Sequence, residues 1–436
     1  MGDAGNERAV MNFRFSFLGL LLVTHSLLAQ NHIEIRGKVL DRKSKEPLRY
    51  ASINVSNSAI GTLSNEAGEF DFFLPLNLKD DTLLISYIGY KTFKEVISNL
   101  RTSEAIYLEE SPKVLGEVIV SGQGARKLVE EALKAIPLVY PTTPYLMEGF
   151  HRSWDKADFT DGISHPGTLI EAAVTIYDPG YGPKKSGNKG KEEIYINEMR
   201  RSAIMEGWNY GLRTNFLREL LDRNLVKYNR AITFVYLESF LNFPNSMIYE
   251  WGGTTRIDDE NVSVVRIEVI NTKKFPAFYK VYISEEDDAI LRFELYGEIK
   301  EIDYTLGPWI IETFNEIYIF KRYRQTPYLS YAKRHYTVKN VDQINKKVLR
   351  TENYFRELLI NNVITTDVAA RRKALSTERT KDVSIALQAK GYHENFWKTY
   401  NVIKENPLDR EIIQYFEQKS KPGDPFKAKG KKEKSK

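Results

Sequence analysis

From His32 onward the chain is composed of short runs in which apolar and polar residues alternate, separated by turn-forming residues. That period of two fits a pleated strand with one buried face, and it constrains the fold more than any other feature of the sequence. In the first ninety residues after the leader, His32 to Leu40 alternates with Ile33, Ile35 and Val39 on one side. Tyr50 to Val55 alternates through Ala51, Ile53 and Val55, and Phe70, Phe72 and Leu74 follow the same rule. Thr82 to Tyr87, Tyr90 to Ile97, Ala105 to Leu108 and Val118 to Val120 complete about seven short strands. Asn65, Gly68 and Gly89 are residues that tolerate left-handed turns. Regular short strands without a helical period predict a seven-stranded β-sandwich over residues 31–121.

Five motifs stand in order along this region: Gly37 to Asp41 (GKVLD), Glu46 to Leu48 (EPL), Gly61 to Phe70 (GTLSNEAGEF), Ser86 to Tyr90 (SYIGY) and Leu115 to Val120 (LGEVIV). Together they resemble the carboxypeptidase-regulatory-like domain, a transthyretin-like sandwich of exported Bacteroidetes proteins. The resemblance covers about a fifth of the chain. It implies an accessory module with no catalytic residues to carry over. In that family the module accompanies a zinc peptidase or precedes the plug and barrel of an outer-membrane receptor. No HxxE or HExxH surrounds any of the six histidines (25, 32, 151, 165, 335 and 393), and the remainder has too many helical stretches for a large barrel.

After a linker at Ser121 to Gly124, Ala125 to Ile136 places Leu128, Val129, Ala132, Leu133 and Ile136 on one helical stripe, with Pro137 and Pro141 expected to end it. Tyr145 to Trp154 and Thr168 to Tyr177 read as strands, Pro183 to Lys191 as a solvated basic loop, and Thr214 to Tyr228 as an amphipathic helix. A long meander follows: 247–256, 262–270, 277–283, 289–299, 309–322, 328–339 and 346–355. Asn395 to Tyr400 and Leu408 to Phe416 read as closing helices, with Phe396, Trp397 and Tyr400 docking on the sheet. The fold class is therefore mostly β with some α: a seven-stranded sandwich, then a larger α+β domain over 122–418 built on an antiparallel sheet, with a half-barrel as its candidate form. The layout resembles the half-open barrels of periplasmic lipoprotein carriers at the level of fold alone.

Met11 to Gln30 carries Arg14, an apolar core from Phe15 to Leu28, and a small residue at Ala29. This is the pattern of a secretory signal peptide over 1–29, with cleavage expected after Ala29 and Met11 a candidate start. No later run reaches the length of a membrane helix. The formal net charge is +5. Lys419 to Lys436 holds eight Lys against Asp424 and Glu433, and the first 29 residues balance, so the body between is near −1. The basic character belongs to a tail predicted to be solvated and disordered, with peripheral contact to anionic surfaces as its alternative role, and it says nothing about a nucleic-acid-binding face. Zero cysteine excludes disulfides, thiolate metal sites and a Cys nucleophile.

Candidate chemistry is sparse. Asn65, Glu66 and Glu69 lack the spacing of a calcium loop and read as a structural turn. Asp258, Asp259 and Glu260, and Glu285 to Asp288, are carboxylate clusters at predicted turns, as a glycosidase pair would need only if they faced each other across a cleft. His151 and His165, with Glu148 and Asp155, are the histidine pair from which a metal site could be assembled. Tyr318, Phe320, Tyr323, Tyr328, Tyr331 and Tyr336 share a segment with Lys321, Arg322, Arg324, Lys333 and Arg334, the first place to seek a glycan or acyl surface. No catalytic, cofactor or metal residue is assigned. The expectation is an exported binding or scaffolding protein of the periplasm or outer membrane, with an envelope protein or an amphiphilic or glycan ligand as partner, no nucleic acid and no transmembrane helix. The alternative is a hydrolase whose site would gather Glu148, His151, Glu171 and their neighbours in one pocket. A third reading, a structural subunit of an outer-membrane assembly, would show a large exposed apolar patch instead.

Overall fold

The computed structural model describes residues 32–101, 104–111, 122–160, 162–181, 192–202, 216–227, 247–269, 277–299, 301–305, 307–375 and 393–419. The expected signal peptide, Val118 to Val120, the loop 183–191, Asn271-Thr272 and the residues from 420 lie outside the described residues.

Seven strands build the first unit: β1 (His32–Asp41), β2 (Ser52–Val55), β3 (Gly61–Leu63), β4 (Glu69–Pro75), β5 (Thr82–Ser86), β6 (Phe93–Val96) and β7 (Glu104–Leu108). They form a three-stranded sheet in the order β4-β1-β7 facing a four-stranded sheet in the order β3-β2-β5-β6. The alternating apolar residues close one core, in which Val39, Ile53, Phe70, Phe72, Leu74 and Ile85 are fully buried. The expected sandwich is present with a different membership. Gly61–Leu63 is a strand too short for alternation to reveal. The tight approach of the β3–β4 turn requires Gly68, whose φ is +77° and whose missing side chain would lie 2.5 Å from the Val39 carbonyl oxygen.

The second unit is one ten-stranded antiparallel sheet: β8 (Tyr145–Phe159), β9 (Ser164–Asp178), β10 (Glu193–Arg201), β11 (Met247–Ile257), β12 (Glu260–Val269), β13 (Ala277–Ser284), β14 (Ile290–Glu298), β15 (Trp309–Tyr323), β16 (Thr326–Asp342) and β17 (Lys347–Ile364). Their order is β10-β9-β8-β17-β16-β15-β14-β13-β12-β11, and the sheet is open, with β10 and β11 at its edges. The long meander is joined to β8–β10 by the pairing of β17 with β8, from Arg350 opposite Phe159 to Ile364 opposite Leu146.

All ten strands turn one face into a single core that packs against α1 (Gly122–Val139) and α2 (Phe216–Asp222). The helix α1 differs from expectation at both ends. It begins at Gly122 within the presumed linker and runs through Pro137 to Val139. A proline in the final turn forfeits one amide bond, and burial of Ala132, Ala135 and Ile136 offsets that loss. The strand β10 and the helix α3 (Val368–Leu375) are elements the sequence pattern did not announce. The opposite, outer face of the sheet receives the sandwich, α4 (Glu394–Trp397) and α5 (Pro407–Lys419).

The aromatic segment is divided between the two faces. Tyr318, Phe320 and Tyr328 belong to the helix-covered core, while Tyr331 packs on the outer face with Tyr50 and Trp397. Tyr318 is fully buried, stacks on Phe293 at 4.6 Å, and donates its hydroxyl to the Leu220 carbonyl of α2 at 2.9 Å. These contacts predict a graded response in chemical denaturation. Tyr318→Phe loses about 1 kcal/mol with the hydrogen bond, whereas Tyr318→Ala loses about 3–5 kcal/mol with the ring. Equal losses for the two would show that the ring is not a packing element.

Candidate functional site

Antiparallel register places residues of neighbouring strands directly opposite one another on the same face. On the outer face this produces a row of alternating charge across five consecutive strands. Arg200 of β10 lies opposite Glu171 of β9, Glu171 opposite Arg152 of β8, Arg152 opposite Glu357 of β17, and Glu357 opposite Lys333 of β16. Arg152 Nε donates to Glu171 at 2.7 Å and Nη1 to Glu357 at 3.1 Å, while Arg200 holds the other oxygen of Glu171 at 2.5 Å. Arg152, Glu171 and Glu357 have side chains at most 1 % exposed.

The row is closed over by two other parts of the chain. From the C-terminal segment, Asp409 of α5 meets Arg152 at 3.3 Å and accepts from the Trp154 indole at 2.7 Å, and the Ile403 carbonyl accepts from Arg152 at 2.9 Å. From the sandwich, the Tyr50 hydroxyl accepts from Lys333 at 2.7 Å and donates to Glu66 at 2.9 Å. Asn65 donates to the Glu405 carbonyl and the Glu66 amide donates to Asn406. The Asn65–Gly68 turn is thus structural, as read from the sequence, and its role is to dock the sandwich on the C-terminal segment. Asn401 completes that docking, its side-chain amide bonding both the amide and the carbonyl of Phe73 on edge strand β4.

Three cations, Arg200, Arg152 and Lys333, face four carboxylates, Glu171, Glu357, Asp409 and Glu66. The different neighbours of Glu171 and Glu357 explain the opposite behaviour of these two. Burial raises Glu357, Arg152 only partly opposes it, Asp409 adds to it, and the group is pushed up to about 7. Burial would raise Glu171 too, but Arg200 and Arg152 together outweigh it and hold that carboxyl below the ordinary range. Arg152 is raised despite its burial because Glu171, Asp409 and Glu357 surround it.

The hydrolase candidates do not converge. Glu148, bonded to Asn362, and Glu171 share the outer face with Arg152, whereas His151 alternates to the core face of β8. His151 is bonded at Nδ1 to the Glu357 carbonyl, and burial depresses it to about 3. His165 pairs with Ala157, six residues further along β8 and so roughly 20 Å from His151. That separation keeps the histidine pair from forming one metal site. Among the described residues no group of three metal-ligating side chains converges.

The two carboxylate clusters do meet, around a cation. Arg322 of β15 binds Glu260 at 2.7 Å and Asp287 at 2.7 Å. Beside it, a cleft of about 210 Å³ opens between the sandwich and the sheet, with Leu84, Ile257 and Phe320 in its lining beside Lys94, Asp258 and Lys321. Lys94 pairs with Asp259 at 3.1 Å, and Asp258 accepts from Ser86. Asp258 and Asp259 have φ of 50° and 68°, the left-handed pair of a tight hairpin, so this turn is shaped to reach the sandwich. Burial would raise Asp259 and Asp287, but Lys94 and Arg322 respectively prevail and both lie below the usual carboxylate range. A glycosidase acid requires the reverse. No described helix is long and apolar enough to cross a membrane.

With this geometry in place, the comparisons divide the chain. Residues 35–120 match the family model described as the CarboxypepD_reg-like domain, which identifies the sandwich. No curated protein sequence matches. Among solved structures, a LolA superfamily protein from Nitrosomonas europaea is 12% identical and covers 59% of this chain and 98% of its own, with a TM-score of 0.18. The MucA/MucB complex of Pseudomonas aeruginosa gives 9% identity, coverage of 57% and 96%, and a TM-score of 0.19. A DUF1329 family protein from Desulfovibrio piger gives 7%, 56% and 93%, and 0.20. Scores and identities this low establish no kinship, and nothing below rests on them.

Two outcomes follow from the ladder. Arg152→Met removes the cation that Glu171, Glu357 and Asp409 share in a dry interior, and denaturation should show a loss of about 3–5 kcal/mol. A loss under about 1 kcal/mol would mean that solvent reaches the row. Glu357 also gives a pH signature. Its ordinary value is 4.5 and its folded value about 7. Between these the folded protein holds a proton that the unfolded chain has released, so this group makes stability fall as pH rises through that window. The effect is on the order of 3 kcal/mol. Melting temperatures recorded from pH 4.5 to 8 should show the decline in the wild type and its removal in Glu357→Gln; identical slopes would place the proton elsewhere.

Proposed function

We propose that the chain is an exported, non-catalytic binding or scaffolding protein of the cell envelope, acting in the periplasm or at the outer membrane. Its parts are a leader at 1–29, a regulatory-like sandwich at 31–121 serving as an interaction module, an α+β unit at 122–418 and a solvated basic tail at 419–436. The partner is an envelope protein or an amphiphilic or glycan ligand. The observation that carries this reading is the use made of the buried ladder. Its charges bind other parts of the same chain, with Arg152, Glu171 and Glu357 at most 1 % exposed, and a catalytic pair must reach a substrate. What the ladder accomplishes is to fix the sandwich, the sheet and the C-terminal segment in one arrangement, as a scaffold requires.

One observation favours the hydrolase reading: Glu357 is raised while Glu171, on the other side of Arg152, is lowered. Such divergence marks acid/base assignments in some enzymes. Here the different neighbours of the two carboxyls in a sealed site account for it. The two readings separate in one set of measurements. In fractionated cells expressing the tagged chain, the scaffold reading expects a leader-processed product in the envelope and a reproducible cross-linked partner from a photoreactive residue at exposed Tyr107. Recovery of an unprocessed cytoplasmic chain would refute export. Turnover of ester, peptide or glycoside substrates that Glu357→Gln abolishes would establish the enzyme.

A further inference from the structure

Six of the eleven large apolar side chains left exposed among the described residues lie at one end of the ten-stranded sheet. Phe159 and Ile163 flank the β8–β9 turn, Ile344 and Leu349 belong to the β16–β17 hairpin, and Trp309 and Ile311 open β15. Register brings them together. The end of β8 lies beside the start of β17 (Phe159 opposite Arg350), the start of β17 beside the end of β16 (Lys347 opposite Asp342), and the end of β16 beside the start of β15 (Asn340 opposite Trp309). Four adjacent strands make a rim roughly 15 Å wide.

Exposure on this rim is high where the fold does not require the side chain. Ile344 is 90% exposed and Trp309 64%. The hairpin turn is held by Asp342, whose carboxylate accepts from the amides of Ile344 and Asn345 at 2.9 and 3.0 Å. Any residue could supply the Ile344 amide, and turns ordinarily place Asn, Asp or Gly at such positions. Cross-strand partners share a face, so Phe159, Ile311 and Trp309 point to the core side of the sheet. Leu349 is the unpaired residue of a β-bulge between Val348 and Arg350, and Ile344 sits at the apex. Lys346 and Lys347 are exposed immediately behind that apex.

We propose that this rim is a lipid-facing edge that inserts shallowly into the interfacial layer of a phospholipid bilayer. A groove with one apolar wall would suit a folded partner. A projecting sheet end with apolar groups on its core side and an isoleucine at its tip, backed by two exposed lysines, suits a fluid phase that closes around it. The tryptophan ring is amphipathic and settles at the headgroup level, and the two lysines stand where lipid phosphates would be. The rim goes beyond the envelope reading above, and a test with vesicles stands without it.

The test uses the chain as it is exported, with every variant compared in the same background. Vesicles of phosphatidylethanolamine and phosphatidylglycerol should co-sediment the protein, and brominated lipids should quench a fluorescence component that Trp309→Phe removes. The Trp309→Ser/Ile344→Ser double variant should partition roughly tenfold more weakly or worse, since lipid affinity scales with buried apolar area. Its circular dichroism should be unchanged, because both residues are exposed. Truncation after Lys419 should leave most of the binding. Undiminished binding by the double variant would overturn the proposal. Binding lost only on removing the tail would assign the contact to the tail, and concentration-dependent dimerisation through the rim without vesicle binding would assign it to a second copy; either result also overturns it.

Discussion

The structure depends on Arg152. A guanidinium with no exposed surface, in the middle of a buried strand, must be met by carboxylates or the strand cannot occupy the interior. Glu171 and Glu357 meet it from the strands on either side, and Asp409 meets it from above the sheet. Once those positions are set, β9, β8 and β17 have one register, and α5 has one place to lie. The Trp154 indole on Asp409 and the stacking of Trp154 on Phe355 at 5.1 Å extend the constraint one row further along the sheet.

Register is what a ladder of this kind specifies. Period-two burial excludes a one-residue slip, because such a slip would turn every apolar side chain to the wrong face. It does not exclude a slip of two. A two-residue shift of β8 against β9 keeps the faces intact and would place Arg152 opposite Leu169 or Ala173 instead of Glu171. Apolar packing discriminates weakly between those arrangements, whereas a buried arginine facing leucine or alanine discriminates strongly. The long strands of this sheet offer many such slips, and a row of five alternating charges excludes them together. Replacing buried ion pairs by apolar residues often leaves stability unchanged or improved, so the ladder is better understood as a device for uniqueness than as a source of stability.

Much of this architecture was legible in the sequence, and the boundary of legibility has a physical cause. The sandwich, the meander from Met247 to Phe355 and the closing helices could be read because alternation and turn residues are local signals. Strand β10 was missed because Glu193 to Arg201 carries charges at both ends and little apolar contrast. The ladder was invisible because Arg152, Glu171 and Glu357 lie far apart in the chain and only register unites them. The available signal was weaker but real: Glu171 and Glu357 are carboxylates embedded in largely apolar runs, Thr168 to Tyr177 and Tyr354 to Ile360. A charge in such a run is rarely buried without a partner. The carboxylate clusters misdirected in the opposite way. Asp258 to Glu260 and Asp287 looked like solvated turns or a catalytic pair, and they are docking groups for Arg322, Lys94 and the edge of the sandwich.

The sheet is therefore loaded differently on its two faces and at its end. Helices α1 and α2 consume the core face, and the sandwich with the C-terminal segment consumes part of the outer face. Each of those coverings uses complementary apolar or ionic partners supplied by the chain itself. The rim at Trp309, Ile344 and their neighbours stays exposed among the described residues, although the same strands bury their aromatic residues efficiently a few positions away, as Tyr336 and Tyr354 do by stacking at 4.8 Å. A chain that places a salt bridge or a stacked ring wherever its interior requires one, yet leaves an isoleucine at the apex of a hairpin, has put that residue outside the demands of folding.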